Sequence, residues 1–154
     1  MWYTVAMRYP SILLLCTGNI CRSPMAQAVL QAELAARSVD VAVESAGTGA
    51  LVDHPADPIA IELMAERGLD IEAHRGRQLT GGMLRAFPLI LVMESGQRRH
   101  VERRWPLARG RVHDLGRWSD FDVPDPYKAG RGAFESSLAL IDRGVDDWLG
   151  KLHQ

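Results

Sequence analysis

The sequence predicts an α/β domain built on a parallel sheet, and three observations predict it. Short apolar runs at residues 12–15, 41–43, 89–93 and 112–115, the last interrupted by His113 and Asp114, read as short strands. Longer stretches with apolar residues at helical spacing lie between them, the alternation expected of β-α-β units. The chain, 154 residues long, suffices for one domain with a substantial core, and no repeat, low-complexity stretch or linker divides it.

Residues 1–10 precede the first strand as an N-terminal extension, followed by Ile12-Leu13-Leu14-Leu15. Pro24 suits the first turn of a helix, with Ser23 before it as N-cap, and Met25, Val29 and Ala32 or Glu33 recur at helical spacing. Asp57-Pro58 repeats that start signal before Ile59, Leu63 and Met64, and Gly68 ends the helix. Residues 80–86 and 95–104 read as two shorter helices. The last helix is the clearest, with Phe134, Leu138, Ile141, Val145, Trp148 and Leu152 on one core-facing stripe.

Composition narrows the function classes. A formal net charge of −1 argues against a nucleic-acid binder. The densest basic patch, Arg98, Arg99, Arg103 and Arg104, reads first as a solvated helix face and second as a dock for an acidic or phosphorylated partner. No apolar run approaches the roughly 18 residues that a membrane span needs, and the expectation is a cytoplasmic protein. Only Cys16 and Cys21 are present, which is no disulfide framework and fits a reducing compartment. The five histidines are scattered without ligand spacing, so no metal and no cofactor is expected.

Residues 16–24, Cys-Thr-Gly-Asn-Ile-Cys-Arg-Ser-Pro, carry the chemistry. They join the carboxyl end of a buried strand to a helix N-terminus, where Thr17, Gly18, Asn19, Ile20, Cys21 and Arg22 can aim backbone N–H groups at one anion. A thiol in such a place ionises readily, since helix N-termini and cations bring cysteine pKa values from about 8.5 to roughly 3.5–7.5. Cys16 then supplies a nucleophile, and the planar fork of Arg22 neutralises phosphate oxygens two at a time. No Gly-x4-Gly-Lys-Ser/Thr sequence is present, so this is not a nucleotide P-loop. In an open parallel sheet the remaining site residues come from loops at the same edge, here residues 45–55, 74–78 and 117–128.

Cys-x5-Arg-Ser near the N-terminus, with Asp125-Pro126-Tyr127 more than a hundred residues on, resembles the low-molecular-weight protein tyrosine phosphatases. The resemblance runs from Ile12 to Leu152. It implies a three-layer α/β/α fold with a four-stranded parallel sheet in the order 2-1-3-4 and about five helices. It also implies that Cys16 forms a phosphocysteine and that Asp125 acts as acid and then base. Ser23 would hydrogen-bond the Cys16 sulfur, and Asn19, Ser45 and His74 would support the loop. Cys21 would be a redox partner that shields Cys16 from overoxidation. Leu51, Trp118 and Tyr127 flank the expected substrate slot.

The loop at residues 46–55, with Leu51 its only bulky residue, resembles the bacterial branch that opposes autophosphorylating tyrosine kinases in exopolysaccharide or capsule export. Ala56-Asp57-Pro58 and Gly116-Arg117-Trp118 resemble that branch too. The expected partner is thus a phosphotyrosine protein, such as a bacterial tyrosine kinase, acted on by a monomer. Two readings compete: an arsenate reductase of the same fold, which would need further cysteines, and a non-catalytic phosphotyrosine-binding module, which would require loss of the nucleophile or the acid, both of which are present.

Overall fold

The structure is a computed structural model that describes residues 9–152; the first eight residues of the expected N-terminal extension lie outside the described residues. Strands β1 (Ser11–Cys16), β2 (Ala42–Gly47), β3 (Leu89–Val92) and β4 (Val112–Asp114) pair in parallel in the order β2-β1-β3-β4. Leu14 stands opposite Ser45 on one side and Leu91 on the other.

Residues 12–15 of β1 are all fully buried. Alternating side chains explain why a continuous apolar run is needed. Ile12 and Leu14 pack under α1 (Arg22–Ala36), α2 (Pro58–Ala65) and α5 (Arg131–Lys151), while Leu13 and Leu15 pack under α3 (Gly81–Ala86) and α4 (Ser95–Arg104). This is the three-layer α/β/α arrangement with five helices. A 3-10 turn, Pro106–Ala108, leads from α4 into β4.

Local chemistry sets most helix starts. The Asp57 carboxylate accepts the Ile59 amide at 2.9 Å, with Pro58 at the first helical position. The Thr80 hydroxyl accepts the Met83 amide at 3.2 Å. Phe134, Leu138, Ile141, Val145 and Trp148 of α5, and Leu152 at its C-cap, are all buried.

Two expectations need correction. Strand β2 runs four residues beyond the Val41–Val43 region, through Glu44, Ser45, Ala46 and Gly47, because small and polar residues there serve the neighbouring loop. Helix α1 begins at Arg22, with Cys21 at its N-cap and no side-chain cap, so Ser23 is not the capping residue. Its hydroxyl is engaged elsewhere.

The chain moves from β1 to β2 with α1 on one face and from β3 to β4 with α4 on the other. The winding therefore reverses between β1 and β3, where loops leaving the carboxyl ends part to form a crevice. Cys16 ends β1, and Glu94 follows β3, at that crevice.

Candidate active site

Every carbonyl from Cys16 to Ile20 is held from outside the loop. Those of Cys16, Thr17 and Gly18 accept the amides of Thr48, Gly49 and Leu51, each at 3.0 Å, and that of Ile20 accepts the Asp57 amide at 2.8 Å. The Asn19 carbonyl lies 2.6 Å from His74 Nε2, which must carry the proton to donate. In a trans peptide the N–H points opposite to the preceding C=O, so outward carbonyls turn the amides of residues 17–21 inward. The Asn19 amide shows that direction by donating to Cys16 Sγ at 3.2 Å. The result is a nest of backbone donors around one point.

Asn19 makes this turn with φ 59°, a left-handed conformation that asparagine tolerates better than most residues. Its fully buried side chain donates to Ser23 Oγ (2.8 Å) and Ser45 Oγ (3.0 Å) and accepts the Arg77 amide (2.9 Å). Ser45 in turn donates to Gln27 Oε1 at 2.7 Å. Close backbone approach requires glycine twice. A Cβ on Gly47 would stand 2.5 Å from the Thr17 carbonyl, and one on Gly76 would overlap the Leu51 carbonyl.

The nucleophile candidate sits inside this frame. Cys16 Sγ lies 2.9 Å from Ser23 Oγ, and the thiol is 2 % exposed. Ser23 is thus shared between the sulfur and Asn19. Arg22 is 1 % exposed. Its Nη1 donates to Glu94 Oε1 and to the Val123 carbonyl (2.8 Å), while its Nη2 is 3.7 Å from Asp125 Oδ2. The Nε–Nη2 edge remains for an anion.

Asp125 stands on the opposite side, half-exposed, its Oδ1 accepting the Tyr127 amide at 3.1 Å. A cavity of about 190 Å³ opens between Thr17, Gly18, Ile20, Cys21, Gly49, Leu51, Asp125 and Tyr127. Leu51 and Tyr127 are therefore at the slot. Trp118 is not among its lining residues. The turn after Gly116 packs Trp118 edge-on against Trp148, ring centroids 5.5 Å apart, with Arg117 and Lys151 over its ring. Proximity in sequence to the Asp-Pro loop misleads there.

Burial pushes the Cys21 thiol up to about 12, with the Asp57 carboxylate, Cys16 and Asp125 adding to the shift and Arg22 opposing it. Cys21 holds its proton at neutral pH and does not compete as nucleophile. Burial likewise lowers the His74 pKa; the bond to the Asn19 carbonyl opposes this, and Arg75 and Arg77 reinforce it. His74 is a neutral support.

The sequence reading missed the loop after β3. Gln97, nearly buried, accepts the amides of Met93 and Glu94 at 3.0 Å each and donates to Thr17 Oγ1 at 3.1 Å. Glu94 caps the same helix in a reciprocal capping box while its carboxylate engages Arg22. The spacing Glu94-x-x-Gln97 behind an apolar strand is the signal that could have marked both residues. A larger surface cleft, about 490 Å³ among Val29, Glu33, Arg67 and Asp142, contains no nucleophile. Among the described residues no three His, Cys, Asp or Glu side chains group as a metal site.

Residues 11–154 match the family model described as low molecular weight phosphotyrosine protein phosphatase. The chain belongs to that family. It is 49 % identical over 142 residues to the probable low molecular weight protein-tyrosine-phosphatase EpsP of Ralstonia solanacearum, covering 92 % of this chain and 95 % of that one. The tyrosine phosphatase Wzb from Escherichia coli K30, solved with sulphate, is similar at 40 % identity and a TM-score of 0.87, covering 94 % and 99 % of the two chains. Vibrio vulnificus Wzb, solved with benzylphosphonate, gives the same identity, coverage and TM-score. This low-molecular-weight phosphatase is thus a protein-tyrosine phosphatase with the family's sheet order and helices. Neither competing reading gains support from these relatives. Among the described residues no helix is long and apolar enough to cross a membrane.

Proposed function

We propose that this phosphatase hydrolyses phosphotyrosine through a phosphocysteine on Cys16, with Asp125 as acid and base. The observation that carries the reading is the convergence on one sulfur of the Asn19 amide and the Ser23 hydroxyl, beside a buried Arg22 and across from Asp125. Donors aimed at the sulfur stabilise its negative charge both as attacking and as departing group.

In the first step the Cys16 thiolate attacks phosphorus and an S–P bond forms. The P–O bond to the tyrosyl oxygen breaks, and protonated Asp125 gives that oxygen its proton. The Nε–Nη2 edge of Arg22 and the inward amides hold the equatorial oxygens. In the second step the Asp125 carboxylate takes a proton from water, which attacks phosphorus. The S–P bond breaks and the thiolate returns. Ile20, Leu51 and Tyr127 supply the walls for a phenyl ring. Related proteins solved with sulphate and benzylphosphonate support an oxyanion or aryl-phosphate mimic as the ligand.

Asn19, Ser45 and His74 act as loop supports, and Cys21 as the redox partner that captures an oxidised Cys16. We further infer a single-domain, cytoplasmic monomer whose partner is an autophosphorylating tyrosine kinase of polysaccharide export. The branch-like loop around Leu51 supports that choice. The reading predicts that an aryl phosphate gives a burst of phenol before steady turnover, and that Cys16→Ser abolishes turnover while retaining phosphotyrosine proteins in a pull-down. Full turnover by Cys16→Ser would refute it.

A further inference from the structure

Most of the described arginines are engaged by carboxylates, backbone carbonyls or aromatic rings. Arg37, Arg67, Arg77, Arg98 and Arg131 each hold a carboxylate, and Arg22 pairs with Glu94. Eight exposed arginines have no carboxylate partner among the described residues, and five of them, Arg85, Arg99, Arg103, Arg104 and Arg109, come from the stretch between α3 and β4. Arg85, Arg103, Arg104 and Arg109 gather at one end of the molecule. Arg85 lies at the end of α3, Arg103 and Arg104 close α4, and Arg109 follows the 3-10 turn. All four stand where the chain enters β3 and β4, at the sheet edge opposite the anion cradle. Arg99 lies one turn before Arg103 on α4.

Arg85 and Arg104 meet around Trp105. A Cβ on Gly81 would lie 3.1 Å from Trp105 Nε1 and 3.5 Å from Arg85 Nη1, so α3 and α4 bring these two side chains together. Arg104 stacks over the Trp105 ring at 5.0 Å. Leu107 protrudes beside them, 89 % exposed. Like charges this dense repel one another in a chain whose net charge is −1, and an anionic partner relieves that repulsion. Arginine and tryptophan around an exposed leucine are also what protein interfaces concentrate. Each free guanidinium fork matches a carboxylate bidentately.

Distance ties this surface to the catalytic mouth. Helix α4 has 10 residues and spans about 15 Å between the two. An extended polypeptide covers that in about five residues, or about ten when it follows the surface. A chain whose phosphotyrosine is in the cradle therefore reaches the arginines in an intramolecular second contact. We propose that this arginine surface docks an acidic segment of the phosphoprotein substrate, some five to ten residues from the phosphotyrosine. The proposal rests on the phosphatase reading above.

The test compares a Glu/Tyr copolymer phosphorylated on tyrosine with p-nitrophenyl phosphate. Arg103→Glu/Arg109→Glu is set against Arg37→Glu/Arg143→Glu, a pair of the same net charge on other faces. The first pair is expected to lose about tenfold in kcat/KM on the copolymer at low salt. That loss disappears at about 0.5 M salt, where screening acts within a few ångströms. Turnover of p-nitrophenyl phosphate stays within about twofold, which also reports an intact fold. Arg103→Gln/Arg109→Gln shows a smaller loss in the same direction. An equal copolymer loss in the control pair, no copolymer loss, or a parallel loss on both substrates overturns the proposal. So does binding of the wild type to phosphatidylglycerol vesicles that the first pair abolishes without altering copolymer turnover, which would assign the surface to lipid. Wild-type protein inert toward both substrates would overturn the phosphatase reading and the docking proposal with it.

Discussion

Replacing Gln97 by Met keeps the side chain's length and removes three hydrogen bonds. The amides of Met93 and Glu94 lose their common acceptor, and the Thr17 hydroxyl loses its donor. An unsatisfied buried donor costs about 1–3 kcal/mol. Thr17 can rotate toward another partner, and Glu94 is partly exposed, so the two amides dominate at about 3 kcal/mol together. For a domain of this size that corresponds to a thermal midpoint lower by about 6–12 °C. Gln97→Glu separates stability from electrostatics. Its carboxylate still accepts both amides and suits the first turn of α4, so the midpoint stays within about 2 °C of wild type. It also adds a negative charge beside Glu94 and Thr17, and vanadate inhibition should weaken about tenfold. Calorimetry and vanadate titration of the two variants check this. A Gln97→Met midpoint equal to wild type, or undiminished vanadate affinity in Gln97→Glu, would refute the claim that this side chain braces the cradle.

Asn19→Ala removes three buried hydrogen bonds and leaves alanine in a left-handed conformation, so about 3–5 kcal/mol of stability should be lost in urea unfolding, with kcat/KM falling sharply. His74 has a lowered folded pKa, so the unfolded chain binds more protons between that value and 6.5. Its contribution is complete above pH 6.5 and lost as pH falls through the folded value; urea midpoints of wild type should drop more than those of His74→Gln between pH 7.5 and 5.5. Cys21→Ser should leave aryl-phosphate turnover unchanged but make peroxide inactivation irreversible. In the proposed role, peroxide would take Cys16 to the sulfenic acid, and attack by the Cys21 sulfur would form the disulfide with release of water. Recovery of activity by dithiothreitol in both proteins alike would contradict that role.

Fold and chemistry were legible in different places. Residues 12–15 announced a buried strand because both its faces are covered, and Asp57-Pro58 announced α2 because the cap is local. The cradle at residues 16–22 was legible because its donors come from consecutive residues. What escaped depended on tertiary contact. Glu94 and Gln97 look like an ordinary helix start, and only the β1–β3 pairing sets them against Arg22 and Thr17. Ser23 carried two expectations, a cap before proline and a bond to the Cys16 sulfur; its hydroxyl serves the sulfur, and only the bond from Asn19 was out of view. Trp118 looked like a pocket wall until Trp148, thirty residues later in sequence, drew it away.

The proposed catalysis turns on covalent transfer to one sulfur. Rapid acid quench of Asp125→Asn during turnover of an aryl phosphate, followed by peptide mass analysis, tests it most directly. One phosphoryl group on the peptide carrying Cys16, absent from Cys16→Ser, is the predicted result. Turnover with no phosphoryl group on that peptide, or with the group on another residue, would contradict it.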